Sequence, residues 1–206
     1  MKLNSTDLRK FYMGAVSLYG ILYDEDAIDI LKTYFKDFDE KSLLKDMESR
    51  SEKMTREYSI WPYEAGKKEG YMIVDEFFGS EDIRDLEIEQ DGKKRYVPED
   101  FKSFCAYGLN RTLKTSFVAR DRLYATICKY MPKSLSKYHL DYVVKEILLT
   151  LSFGDADIGE AMELMERFGF NIKSDNDVQD VVDAIMFAYN NTKKIENLGF
   201  SPAEML

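Results

Sequence analysis

Apolar residues recur at helical spacing in segment after segment of this chain, and that periodicity limits what it can fold into. Leu8, Phe11, Tyr12, Ala15, Leu18 and Tyr19 share one helix face, with Ser5 or Thr6 as the cap and Gly20 as the stop. Asp24 caps a second helix that aligns Ala27, Ile28, Leu31, Tyr34 and Phe35. Asp39 caps a third, carrying Leu43, Leu44, Met47 and Met54. The acids at 24, 25, 26 and 29 lie in the first turns, where the helix dipole favours them. From Pro98 the spacing predicts helices over Glu99–Tyr107, Thr115–Met131, Lys137–Phe153, Asp155–Phe168 and Ser174–Asn191. Gly169 stands at a C′ position, Ser174 and Asp177 form a capping pair, and Val178, Val181, Val182, Ile185 and Tyr189 form the last apolar stripe.

One stretch breaks the pattern. Tyr58–Tyr63 and Tyr71–Val74 are aromatic and β-branched and flank a Gly/Lys loop, which predicts a hairpin, joined by a third strand at Arg95–Val97. Ile21–Tyr23 reads as a short extended link. Ser80 opens an acidic helix to about Gln90, and Asp91-Gly92 is a turn. The expected fold is mainly α (α+β): helical and bundle-like, with a small antiparallel hairpin or three-stranded sheet at about 58–97. A division near 91–100 separates a helical subdomain with a hairpin, 1–97 and winged-helix-like in outline, from an α-helical subdomain, 98–206.

Several chemistries are excluded by what is missing. Two cysteines and one histidine cannot complete a zinc site built from those residues alone. His139 is the one histidine available as base for a serine or cysteine nucleophile, and no Gly-x-Ser-x-Gly elbow exists. Glycine-rich phosphate loops are absent. Asp155, Asp157 and Glu166 fit positions 1, 3 and 12 of a calcium loop, but Glu160 stands where the turn needs glycine. Asp75 and Glu76 end a strand as nuclease carboxylates do, without the lysine two residues on that would complete the arrangement. The expectation is therefore no catalytic residue, no metal and no cofactor. The uncharged run Phe11–Tyr23 is too short to span a bilayer, so no membrane association and a cytoplasmic location are expected.

The formal charge is −9, unevenly spread. Residues 1–101 carry 16 Lys+Arg against 24 Asp+Glu, 102–145 carry 9 against 2, and 146–206 carry 4 against 12. On a wheel of the 115–131 helix, Phe117, Leu123, Tyr124, Ile127, Cys128 and Met131 form the apolar arc. Arg122 and Lys129 lie opposite and continue into Lys133, Lys137, Tyr138 and His139; with Arg120 these are the candidate binding residues. Arg122, Lys129 and Lys133 are expected to be exposed. Arg120 lies within the apolar arc and is expected to be partly buried and paired with a carboxylate, because an unpaired buried guanidinium costs on the order of several kcal/mol.

The C-terminal stretch Asn190-Asn191-Thr192-Lys193-Lys194-Ile195-Glu196-Asn197-Leu198-Gly199-Phe200-Ser201-Pro202-Ala203-Glu204 reads as a helix stop, a turn at Gly199 and a restart with Ser201 as cap. Asn190, Asn191, Gly199, Pro202 and Glu204 are expected to be structural. This stretch resembles an uncharacterised bacterial family common in low-GC Gram-positive bacteria, with Asn-Asn-Thr-Arg, an aromatic, Glu-Asn, then Gly, His, Thr-Pro-x-Glu. Tyr19-Gly20-Ile21 and Tyr96-Val97-Pro98 look like earlier landmarks of that family. Lys193, Ile195 and Phe200 depart from its arginine, aromatic and histidine, and the SEC-C zinc motif of longer members is absent. The resemblance implies no activity. The leading expectation is a non-enzymatic intracellular interaction protein with a protein partner. The alternatives are a nucleic-acid-associated protein of a phage or mobile element, acting through 102–145, and an enzyme without a recognisable motif.

Overall fold

The computed structural model describes residues 3–51, 53, 55–65, 68–152 and 158–206. Among these the fold is mainly helical, with nine α-helices and one antiparallel three-stranded sheet. The chain divides into two compact units, Met1–Asn110 with Ile195–Gly199, and Arg111–Lys194 with Phe200–Leu206.

In the first unit α1 (Ser5–Tyr19) is buried along most of its length, from Leu8 to Tyr19. Its cap is Asn4, one residue ahead of the expected serine or threonine, whose side chain accepts from the Thr6 and Asp7 N–H groups at 2.9 and 3.0 Å. Gly20 stops the helix, and its carbonyl accepts from Asp75 N–H at 2.9 Å. This sets β1 (Ile21–Tyr23) against β3 (Lys68–Val74), which pairs on its other edge with β2 (Ser59–Ala65), giving the order β1-β3-β2. The third strand is thus Ile21–Tyr23 and not Arg95–Val97. The latter segment is diverted because Tyr96 N–H donates to the Leu198 carbonyl at 2.9 Å.

Asp24 is the first residue of α2 (Asp24–Tyr34) rather than its cap, and it is 6 % exposed. Its carboxylate accepts from Tyr71 N–H at 3.1 Å and the Tyr63 hydroxyl at 3.2 Å, fastening the helix to the hairpin. On α3 (Glu40–Ser51), Leu43 and Met47 enter the core, while Met54 lies outside the described residues. The Tyr12 hydroxyl donates to Asp46 at 2.9 Å, and Arg50 donates to Asp46 at 2.6 Å and to the Tyr58 hydroxyl at 3.0 Å. This network satisfies the buried phenols that tie α1 and α3 to the sheet. Ile83 and Leu86 of α4 (Ser80–Gln90) pack with Ile21 and Val74.

Helix α5 (Phe101–Leu109) packs on α1. The sequence division near 91–100 would group it with the second half; its contacts place it in the first unit. Glycine makes the approach possible: a Cβ at Gly108 would lie 2.4 Å from Met13 C and 2.5 Å from Gly14 N, both backbone atoms. The Ser17 hydroxyl reaches across to the Tyr107 carbonyl at 3.0 Å.

The second unit holds a 3₁₀ turn at Arg111–Lys114, α6 (Phe117–Tyr130), α7 (Lys137–Ser152), α8 (Ile158–Arg167), α9 (Asp175–Asn190) and a 3₁₀ turn at Pro202–Glu204. Its core gathers Leu123, Ile127, Val143, Ile147, Met165, Val181 and Ile185. The capping pair forms, with Asp177 N–H donating to Ser174 Oγ at 3.2 Å and Ser174 N–H donating to Asp177 at 3.1 Å. Phe170 N–H returns to the Met165 carbonyl at 3.1 Å past Gly169. Phe153, Asp155 and Asp157, at the margins of two expected helices, lie outside the described residues.

Candidate interaction surface

The buried line of α6 runs through Ala119, Leu123, Ile127 and Tyr130. Phe117 is 72 % exposed and Cys128 is also exposed, so the apolar arc lies differently from the expected one. Ser116 caps the helix, which makes Phe117 its first residue, with no preceding turn to cover the ring.

Arg122 and Lys129 are exposed, as expected, and both reach α9. The Arg122 guanidinium stands 4.6 Å from the Phe187 ring centre. Lys129 Nζ donates to Asp180 and to the Tyr130 hydroxyl, each at 2.9 Å, and Tyr130 donates to the same carboxylate at 2.8 Å. Hydrogen bonds from Lys129 and then Tyr130 hold the Asp180 carboxyl below its usual range. The same bonds, to Tyr130 first and Asp180 second, hold the Lys129 ammonium above its ordinary value. By formal count the second unit carries 12 Lys+Arg against 13 Asp+Glu, and the first 17 against 25. By formal charge the second unit is therefore near neutral, and Lys129–Asp180 is the ion pair that joins the basic segment to α9 among the described residues.

Lys133 and Lys137 differ. Both are exposed, and among the described residues neither has an ion-pair partner. Beside them Tyr138 is 76 % exposed and Tyr142, one turn along, is 42 % exposed. His139 lies 6.0 Å from both the Tyr138 and Phe168 ring centres, and Tyr142 is 5.8 Å from Phe168. The start of α7 thus presents a run of rings flanked by two unpaired ammonium groups. The sequence reading named Lys133, Lys137, Tyr138 and His139 but not Tyr142 or Phe168. Tyr142 was within reach, since it follows Tyr138 by four residues and both lie off the stripe Leu140, Val143, Ile147.

His139 Nδ1 is 2.9 Å from Ser136 Oγ. Ser136 also accepts the His139 N–H at its carbonyl, at 3.0 Å, so the pair closes the first turn of α7. No carboxylate orients the other ring nitrogen among the described residues, and the pair lacks the third member of a nucleophile–base–acid relay. Also among the described residues, no three His, Cys, Asp or Glu side chains gather to hold a metal ion, and no helix is long and apolar enough to cross a membrane.

Arg120 corrects the sequence reading. It is partly buried, as expected, but it has no carboxylate partner among the described residues. Its Nε is buried without a hydrogen-bond acceptor, and its guanidinium carbon lies 5.9 Å from the Phe117 ring centre.

The C-terminal motif is built around lysines that read locally as surface residues. Lys114 and Lys194 are 3 % and 0 % exposed. They donate to the Ser152 and Leu151 carbonyls at 2.8 and 2.6 Å, placing two cations on the last turn of α7, where carbonyls are left over. Thr115 and Thr192 meet side by side, their hydroxyls 2.7 Å apart. Asn190 ends α9, and Asn191 Nδ2 donates to the Phe187 carbonyl at 2.9 Å. Lys193 reaches Glu204 at 3.0 Å, and Glu204 accepts Ser201 N–H at 2.7 Å, ahead of Pro202. Gly199 has φ +83°.

Compared with protein-family models, curated proteins and solved structures, the chain matches none.

Proposed function

We propose that this is a non-enzymatic intracellular interaction protein that binds another protein through the ring and lysine surface at the start of α7. The observation that carries the reading is the exposure of Tyr138 and Tyr142 beside the unpaired Lys133 and Lys137. Clustered exposed rings are a feature of contact surfaces, and aromatic residues anchor interfaces. The order α1-β1-α2-α3-β2-β3, with β3 central, supports the winged-helix outline for the first unit. Its α3, however, offers exposed Lys41 and Lys45 beside exposed Glu40 and Glu48, in a unit of formal charge −8. That balance suits a protein partner better than a phosphate backbone. Membership in the low-GC Gram-positive family resembled at the C-terminus is part of the same proposal.

The test compares the wild type with Tyr138→Ser/Tyr142→Ser as baits in crosslinking capture from a bacterial lysate. Proteins retained by the wild type should be lost with the double variant, whose melting temperature should be unchanged. An identical set of captured proteins would refute the assigned surface. The second reading, nucleic-acid association through 102–145, is favoured by the same unpaired Lys133 and Lys137 beside Tyr138. It requires co-purifying nucleic acid that falls away with salt; a clean 260/280 ratio and no salt-dependent retention on heparin would sink it.

A further inference from the structure

We infer that the start of α6 is a carboxylate-recognition point for an acidic, apolar segment of a partner protein. Arg120 takes the carboxylate, and Phe117 with Val118 receive a neighbouring apolar side chain.

The argument begins with an unmet demand. A guanidinium is always charged and offers five N–H groups in a planar fork. Arg120 uses none of them within the described structure, and its Nε is withdrawn from water without an acceptor. Buried polar groups are otherwise satisfied with few exceptions, so a permanent cation with an orphaned Nε and no acceptor at its Nη atoms among the described residues is short of an anion, which the Nη edge can take from outside. The other arginine with a buried unpartnered Nε, Arg95, has its two Nη atoms on Asp26, one contact at 2.7 Å for each. Arg120 has no such pair.

The surroundings decide the chemistry of the occupant. Phe117, one turn back on the same face, is 72 % exposed with its ring centre 5.9 Å from the guanidinium carbon, and Val118 beside Phe117 is 67 % exposed. Arginine with aromatic neighbours is the composition of interface anchors. A nucleic-acid backbone presents successive phosphates and calls for several cations in a row. Here the neighbouring cations are turned elsewhere: Arg122 lies against the Phe187 ring of α9, and Lys114 is 3 % exposed and bonded to the Ser152 carbonyl. One free planar fork matches one planar two-oxygen group, and the apolar pair asks for a hydrophobic side chain beside it. An Asp or Glu next to Leu or Phe in a partner protein meets both requirements. This point is separate from the Tyr138 surface, so it can fail while that surface survives, and the reverse.

The test uses the full chain, labelled with ¹⁵N at arginine side chains, so that the Arg120 Nε–Hε signal reports directly. The probes are an acetylated, amidated twelve-residue peptide alternating Glu and Leu, its Gln and Leu counterpart, and a twelve-nucleotide oligothymidine. The Glu peptide should shift the Arg120 signal saturably, with a Kd below about 1 mM, and the Gln peptide should not. Phe117→Ser/Val118→Ser should weaken binding about tenfold. Arg120→Lys, which keeps the charge but not the fork, should do the same, with its melting temperature unchanged. The wild-type signal supplies the result even if an Arg120 variant folds poorly. No shift at 1 mM Glu peptide, equal shifts with the two peptides, or a shift with oligothymidine and none with the Glu peptide would each overturn the inference.

Discussion

Replacing Gly108 with alanine sets two known effects against each other. Gly108 is the penultimate residue of α5, and glycine to alanine within a helix stabilises by at most about 1 kcal/mol through propensity alone. At this position the new methyl would sit 2.4 Å from Met13 C and 2.5 Å from Gly14 N. Neither neighbour is a side-chain end that can swing away, so α1 and α5 must separate. Overpacking of this kind costs about 1–3 kcal/mol, and rigid backbone neighbours place the site at the upper end of that range. The net expectation is a loss of about 2 kcal/mol. Trp61, the chain's single tryptophan, lies in β2 of the first unit, so its fluorescence follows that unit's unfolding in urea. With an m-value of about 1–2 kcal/mol/M, the midpoint should fall by about 1–2 M. A midpoint equal to or above that of the wild type would show that propensity wins, and that the two helices do not approach as described.

Gly199→Val should lower the melting temperature, because a β-branched residue at φ +83° carries left-handed strain of about 1–2 kcal/mol and its Cβ would stand 3.3 Å from the Tyr19 ring; an unchanged calorimetric transition would refute this. Burial pushes the Cys105 thiol up to about 12, so at pH 8 an aromatic disulfide reagent should modify one thiol, Cys128, quickly and the second only on unfolding. For Glu204, burial acts to raise the carboxyl pKa, but the Ser201 and Lys193 hydrogen bonds outweigh it and hold the group below its ordinary range. A depressed carboxyl contributes stability that is complete above the unfolded value, about 4.3, and is lost as pH falls through the folded value. The melting-temperature gap between wild type and Glu204→Gln should therefore be open at pH 7 and narrow progressively as the pH falls below the unfolded value.

Local features were the legible ones. The α1 stripe, the Ser174–Asp177 cap, the Gly169 turn and the Ser201–Glu204 restart each rest on residues within a few positions of one another, and propensity and capping act over that range. What escaped depended on partners far along the chain. Ile21–Tyr23 is three residues long and becomes a strand only because β3 lies beside it. Lys114 and Lys194 look like ordinary surface lysines until the last turn of α7 is placed against them. Arg120 was read correctly as lying near the core but wrongly as paired, because the wheel gives its side of the helix and not what faces that side. The α1–α5 approach did leave a faint trace: Gly14 stands in the apolar run of α1, where glycine costs helix stability and a Cβ would lie 2.7 Å from the Phe104 carbonyl oxygen.

The division of the chain also bears on how the protein is made. Residues 195–199 belong to the first unit, although the whole stretch 111–194 is synthesised between them and the rest of it. They supply the Ile195 carbonyl to Gln90, the Leu198 carbonyl to Tyr96, and a 2 % exposed Leu198 to the core around α1. At elongation rates of about 5–20 residues per second the interval from residue 110 to residue 199 lasts on the order of 5–20 s. During that time the nascent first unit stands with the α1 end of its core unroofed and its Gln90 and Tyr96 donors facing solvent. Full order in this unit must then wait on residues 195–199. A ribosome stalled at residue 190 should carry a first unit more open to protease than one stalled after residue 206 with the whole sequence clear of the exit tunnel.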